Sequence, residues 1–334
     1  TVLFSLLYLG SCDDGPTEPE NEPGRRDYVW EYDTLKIDQN DIMSIYEIWG
    51  SSPDNIWVGG YGDTYRNSLW HYNGINWQKH IRSGGGDISG FFGIDQNNIW
   101  MVTGNNTIWK YNGTSWNEII HFKYVGYDAV ALNSIDGFSN SEIYAVGFAG
   151  NFFDSKRTRI IMKFDGTSWS FVNIPELDEV FGNVYCDKYE KKIFINSHRE
   201  TTPNSPSYLY ILEGDSLKQI INSSDVISMG KINGRVYIVE KKKIYNYYKN
   251  QLRLVKDFSN TNFVGRIWGR SEKDFFCVTW DFTIAHYNGT DLVDIIPISY
   301  DYHVGDGILF EKDVFLTCEN LTTGTNFIIH GKLK

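Results

Sequence analysis

The side chains of this sequence best equipped for chemistry are its carboxylates. Asp41, Glu47, Asp87, Asp128, Asp136, Glu179, Asp225 and Asp306 fall in or beside short apolar runs that read as inner strands. Two carboxyls held about 5–10 Å apart in a cleft are what glycoside hydrolysis needs, one to donate a proton and one to attack or to activate water. These eight share no single place in the repeat described below: Asp41 aligns with Gly84, and Asp87 with Ser44, so no ring of charge is expected. Histidine offers less. His71 and His286 both precede Tyr-Asn-Gly, but Lys110 and Lys163 hold the same column in sister segments, which therefore asks only for a polar, outward side chain. His80, His121, His198 and His303 lack the spaced Cys or carboxylate partners of a metal site. Cys186, Cys277 and Cys318 have no evident neighbouring base and read as small buried side chains. Neither a metal nor a cofactor is expected.

The elements that must position these groups come from a repeat. Ile48-Trp49-Gly50-Ser51-Ser52-Pro53-Asp54-Asn55-Ile56-Trp57 matches Phe91-Phe92-Gly93-Ile94-Asp95-Gln96-Asn97-Asn98-Ile99-Trp100, and recurs from Ile267 to Phe276 and, more weakly, from Ile135 to Tyr144. Extending its aromatic column gives Trp57, Trp100, Tyr144, Phe194, Tyr237, Phe276 and Phe315, at intervals of 39 to 50 residues. Seven copies follow. A second column holds Asn73-Gly74, Asn112-Gly113, Asp165-Gly166, Gly214, Asn250, Asn288-Gly289 and Gly331. Asn-Gly and Asp-Gly between alternating apolar runs predict hairpins with type I′ turns, whose two central residues both need φ > 0. Four short strands in a unit of about 40 residues describe a propeller blade. The fold class is thus all-β, a seven-bladed β-propeller of four-stranded antiparallel blades. The seventh copy ends after its third strand, whereas Tyr28–Ile37 is a strand without a blade, so the N-terminal strand is expected to complete the last blade and close the ring.

Copies one, three, four and seven carry 4, 9, 7 and 3 residues beyond the shortest, all between the second and third strands. In a propeller that loop shares a face with the links between blades, and function is sought there first. The candidate partner-binding residues are Tyr61 and Tyr65 in the first insertion, Phe148, Phe152, Phe153, Arg157 and Arg159 in the second and Arg199 in the third, with Tyr124 and Tyr127 on the adjoining link. Exposed aromatics and arginine are the side chains that dominate binding hot spots.

Thr1–Gly10 is an uncharged apolar run, too short to span a bilayer but suited to the end of a signal peptide. The following Leu9-Gly10-Ser11-Cys12 resembles the bacterial lipobox, which implies lipidation of Cys12. Residues 13–27 hold six acids, two bases and three prolines, the composition of a disordered tether. The chain therefore divides into residues 1–12 with the signal end and lipobox, 13–27 as tether, and 28–334 as one propeller domain. The repeats themselves resemble those of propellers in exported bacterial proteins and lipoproteins of unassigned activity. The lipobox, with Asp13 and Asp14 just after its cysteine, implies a location on the outer membrane, at the cell surface or facing the periplasm. A net charge of −11 argues against a nucleic-acid partner. The expected function is a lipid-anchored, non-enzymatic binding or scaffold module for a protein or glycan, the alternative being a carbohydrate-active enzyme with carboxylates in the central channel.

Overall fold

Each copy of the repeat becomes a four-stranded antiparallel sheet. The computed structural model describes residues 22–38, 41–62, 68–80, 84–152, 156–198 and 205–334. These residues form blades 1 (43–79), 2 (88–121), 3 (129–171), 4 (180–223), 5 (228–257), 6 (263–297) and 7 (302–333), with Tyr28–Thr34 as the outer strand of blade 7. Tyr28 pairs with Leu333 and Thr34 with Phe327, so the ring closes through its two ends as the strand count predicts. Second strands such as Asn98–Thr103 are buried along almost their whole length between neighbouring blades. Outer strands such as Trp116–His121 face water.

The aromatic column is the interblade packing. Trp57 lies 5.0 Å from Tyr111 and 5.3 Å from Trp116 of the next blade, and Trp100 lies 4.9 Å from Phe164 and 5.6 Å from Trp169. Phe276 meets Tyr28 and Trp30 at 5.6 and 6.0 Å, which locks the closing strand onto blade 6. Such aromatic pairs contribute about 1 kcal/mol each beyond the burial of their area. The third-strand column stacks on the same rings. His71 lies over Trp57 at 4.3 Å, His286 over Phe276 at 4.5 Å and His330 over Phe315 at 3.9 Å. Each imidazole is also held by a side chain at the start of the second strand: Asn55, Asp274 and Asp313, at 2.6, 2.7 and 2.9 Å. Lys110 takes the same place over Trp100 as a cation–π contact. The outward placement expected of this column fails at His286, which is fully buried. Residues 22–27 cover it, with Gly24 donating to the Lys273 carbonyl and Arg26 to those of His286 and Asp291.

Among the hairpin turns, that of blade 5 keeps the expected two-residue form, with Lys249 and Asn250 at φ of 49° and 64° between the paired Tyr248 and Gln251. The turns of blades 1, 2, 3 and 6 differ from the expected type, since in each only the glycine takes positive φ: Gly74, Gly113, Gly166 and Gly289 lie at 87°, 93°, 95° and 94°. The preceding Asn or Asp is instead an acceptor. Asn112 Oδ1 takes the N–H groups of Thr114 and Ser115, and Asp165 Oδ1 those of Thr167 and Ser168. Tyr72 pairs with Trp77, so the loop has four residues, and a side chain that mimics a turn carbonyl replaces a second left-handed residue. The same two hydrogen bonds hold the Asp165 carboxyl below its ordinary range.

Candidate functional site

The inner strands surround a central cavity of about 680 Å³, and they do so irregularly. The ladder to the second strand slips between Ile45 and Glu47, Ile88 and Gly90, Leu132 and Ser134, Phe181 and Val184, Gly265 and Ile267, and Val304 and Gly307. Bulges thus form a belt at one level in six of the seven blades. A bulge leaves its extra residue unpaired and re-aims the side chain. Some of these side chains link blades: Ser89 Oγ donates to the Leu132 carbonyl, and Asn133 Nδ2 to that of Phe181 at 2.7 Å. Arg266 reaches across to the carbonyls of Val304 and Gly305 at 3.1 and 2.8 Å. It is also the one non-glycine residue inside a strand, among the described residues, with φ in the left-handed region, at 47°.

Charged and phenolic groups from several blades line the cavity: Tyr46 and Glu47, Asp136, Tyr185, Lys231, Arg266 and Asp306. Lys231 binds both carboxylate oxygens of Asp136, at 2.8 and 2.7 Å, across the inner strand of blade 4, whose Cys186 N–H also donates to Asp136. Glu47 and Asp306 form a second cluster with Arg266. Asp306 accepts Trp268 Nε1 and the Gly307 N–H, both at 2.8 Å, yet burial still lifts its carboxyl above the ordinary range. Burial first, and the Asp306 charge second, hold Glu47 well above that range, with Arg266 opposing. Glu47 is half-buried, with part of its surface open to the cavity. Asp306, with its two N–H donors, is thus the better placed of the two acids to carry charge. Among the described residues the charged groups lining the cavity include Glu47, Asp136, Lys231, Arg266 and Asp306, on blades 1, 3, 5, 6 and 7. The bulges bring together two acids that the repeat offsets had separated.

Other acids have structural duties. Glu179 is buried with Arg159 at 2.9 Å and accepts Tyr210 Oη at 3.1 Å and Ser197 Oγ at 3.2 Å. Arg159 is only 7% exposed and packs over Phe181 and Tyr210. This candidate contact residue thus sits inside the joint between blades 3 and 4. Phe148 and Arg157 belong to the ladder as well: the strands Glu142–Gly150 and Arg157–Phe164 absorb most of the extra length of blade 3. Phe152 is at the tip and 74% exposed. Its N–H donates to Asp128, whose own N–H donates to Asn151, so this tip leans on the link that carries Tyr124 and Tyr127. Those two rings lie 5.7 Å apart, with Lys156 over Tyr127 at 4.9 Å. Tyr61 stands on blade 1 at the same face, partly exposed. Cys12, Tyr65, Phe153 and Arg199 lie outside the described residues.

Cys186, Cys277 and Cys318 are unbridged and buried, and desolvation pushes their thiols up, Cys318 to about 12. Among the described residues no group of three or more His, Cys, Asp or Glu could hold a metal ion. A further set of exposed apolar side chains, Trp280, Phe282, Tyr300 and Leu321, stands at the loop face of blades 6 and 7. Blade 6 has no insertion, so loop length gave no signal for it.

Fold and site together define a seven-bladed β-propeller with a charged central cavity and a loop face rich in exposed aromatics. No protein-family model and no curated protein matches the chain. Among solved structures it is similar to YCF48 bound to D1 peptide, with a TM-score of 0.62 at 13% identity, over 96% of this chain and 99% of that one. It is also similar to YCF48 from Cyanidioschyzon merolae, with a TM-score of 0.59 at 9% identity, over 90% and 98%. At these identities the likeness establishes the fold alone.

Proposed function

We propose that this protein is a binding module whose loop face receives a segment of a partner protein. The observation that carries the reading is the distribution of exposed apolar side chains. Ile42, Tyr61, Val125, Phe152, Val226, Trp280, Tyr300 and Leu321 stand on or beside that face, against Ile75, Ile94, Tyr189 and Tyr248 at the opposite, turn face. Exposed apolar area of this kind marks interaction sites. The fold similarity to YCF48, whose structure is that of a complex with D1 peptide, supports the same reading. A photo-crosslinking residue placed at position 61, 125, 152 or 280 in the native envelope should capture a protein, and one at position 75 should not. Capture from position 75 alone, or from none of the five, overturns it.

The second part of the proposal is anchoring through Cys12. Residues 22–27 run along the turn face, because Gly24 meets Lys273 and Arg26 meets Asp291 there. A lipid on Cys12 would therefore tether that face and leave the loop face directed away from the membrane, as a surface or periplasm-facing receptor requires. The nine residues 13–21 could extend about 30 Å, enough to clear the headgroups. Labelling with an alkyne fatty acid should mark the protein and vanish in Cys12→Ser; equal labelling of that variant rules the anchor out.

A second reading, carbohydrate chemistry in the channel, draws on the Glu47–Asp306 pair. If it holds, purified protein releases reducing ends from a glycan panel and Asp306→Asn abolishes the release; no turnover on any glycan removes it.

A further inference from the structure

The exposed group on blades 6 and 7 is built from three tied segments. In the turn Thr279–Thr283, the Trp280 N–H donates to the Asn262 carbonyl and Asn262 Nδ2 to Asp281 at 2.7 Å. The Phe282 carbonyl accepts Ile298 N–H at 2.8 Å, and the Asp301 carbonyl accepts Leu321 N–H at 2.6 Å. Four large apolar side chains stand on this framework: Trp280 is 66% exposed, Phe282 45%, Tyr300 77% and Leu321 60%. Their exposure does not come from a loose loop, since Thr279 and Thr283 are hydrogen-bonded through their hydroxyls at 2.7 Å.

Phe282 makes the case for a ligand stronger. Its φ is 54°, in the left-handed region that a bulky side chain rarely adopts. The turn of blade 2 at the same offset carries Asn106 at 59°, a residue suited to that region. Blade 6 thus holds an aromatic ring in strained backbone and largely outside the core, a combination that folding alone does not favour.

Charge selects the occupant. The turn 279–283, the link 298–301 and the loop 321–324 carry Asp281 and Asp301 and no Lys or Arg, and Lys242 beside Asn262 is already held by the Thr261 carbonyl at 2.7 Å. Asp281 and Asp301 each already accept from an asparagine, Asn262 and Asn320, and Phe282 and Leu321 offer no hydrogen bond, which disfavours a sugar. The carboxylates disfavour an anionic lipid surface, and residues 22–27 leave from the opposite face. We infer that this patch receives an extended, basic-apolar peptide segment of a partner protein, seating a Lys or Arg against Trp280 or Tyr300 beside the two carboxylates. The inference rests on the reading of the loop face as a protein-binding surface.

The test uses the full chain and a fluorescein-labelled dodecapeptide of alternating Lys and Leu, with a Glu-for-Lys counterpart. Anisotropy should show binding of the first and not the second, and Trp280→Ala with Tyr300→Ala should weaken it about tenfold or more. Asp281→Asn with Asp301→Asn should weaken binding and flatten its salt dependence. Phe282→Asn should raise the melting temperature while weakening the peptide, a split that a purely structural role would not give. Unchanged binding by the Trp280/Tyr300 variant, equal binding of the Glu peptide, or Trp280-dependent sedimentation with phosphatidylcholine–phosphatidylglycerol vesicles overturns the inference. Such a failure, with crosslinking from position 152 intact, would leave the loop-face reading standing; loss of crosslinking from every loop-face position would remove both.

Discussion

Glu47 is an acid kept where its charged form is disfavoured, and that has a measurable sign. A carboxyl whose pKa rises on folding leaves stability intact below its unfolded value, here an ordinary 4.5, and erodes it as pH climbs toward the folded value. Glu47→Gln should therefore melt with the parent protein below the ordinary value of 4.5 and increasingly above it as pH rises past that value. Superimposable melting temperatures on both sides of that value would show that burial does not bear on this group. Both Glu47 and Asp306 are legible in the sequence as acids near inner strands. Their pairing is not, because each bulge inserts a residue and shifts the face that the following side chains meet. Arg159 illustrates the converse. Its type and position in an inserted segment read as a surface contact, yet Glu179, twenty residues on, draws it into the joint between blades.

At the scale of the element, the four-residue turns show local chemistry repeated by the sequence. Asn112→Ala removes the acceptor for two N–H groups and should cost about 1 kcal/mol in urea unfolding. Asn112→Asp should cost less, since Asp165 does the same work in blade 3. Gly113→Ala should cost at least as much as Asn112→Ala, because φ is 93° and an added Cβ would lie 2.6 Å from Asn97 Oδ1. An unchanged unfolding midpoint in Asn112→Ala would mean that glycine alone sets the turn. The Asn-Gly and Asp-Gly pairs marked these hairpins correctly in place. They misled on type because a two-residue and a four-residue loop share the same dipeptide, and only the strand register tells them apart. Strand existence was equally legible, whereas the extension of blade 3 through Phe148 and Arg157 was not: extra residues pair when a neighbouring strand is long enough to meet them.

For the whole molecule, closure is the feature most open to test. The outer strand Tyr28–Thr34 covers the edge of Thr325–Leu333 and rests Tyr28 and Trp30 on Phe276. Deleting residues 22–34 should bare that edge, broaden thermal unfolding and produce concentration-dependent association in light scattering. A cooperative, monomeric product would mean that the ring stands without its closing strand. What the sequence by itself determined is the number of blades, the aromatic packing column and the closing strand. Each depends on alternation, spacing and turn residues that recur along the chain, so each is written locally. Only the tertiary structure decided which side chains meet at the axis and which face water. Phe315 and Phe282 are the same residue type, one fully buried between blades and one held out of the core on a strained turn. Contact between residues far apart in sequence is set by the curvature of the ring and the slip of its inner strands, and neither is a property of any short segment.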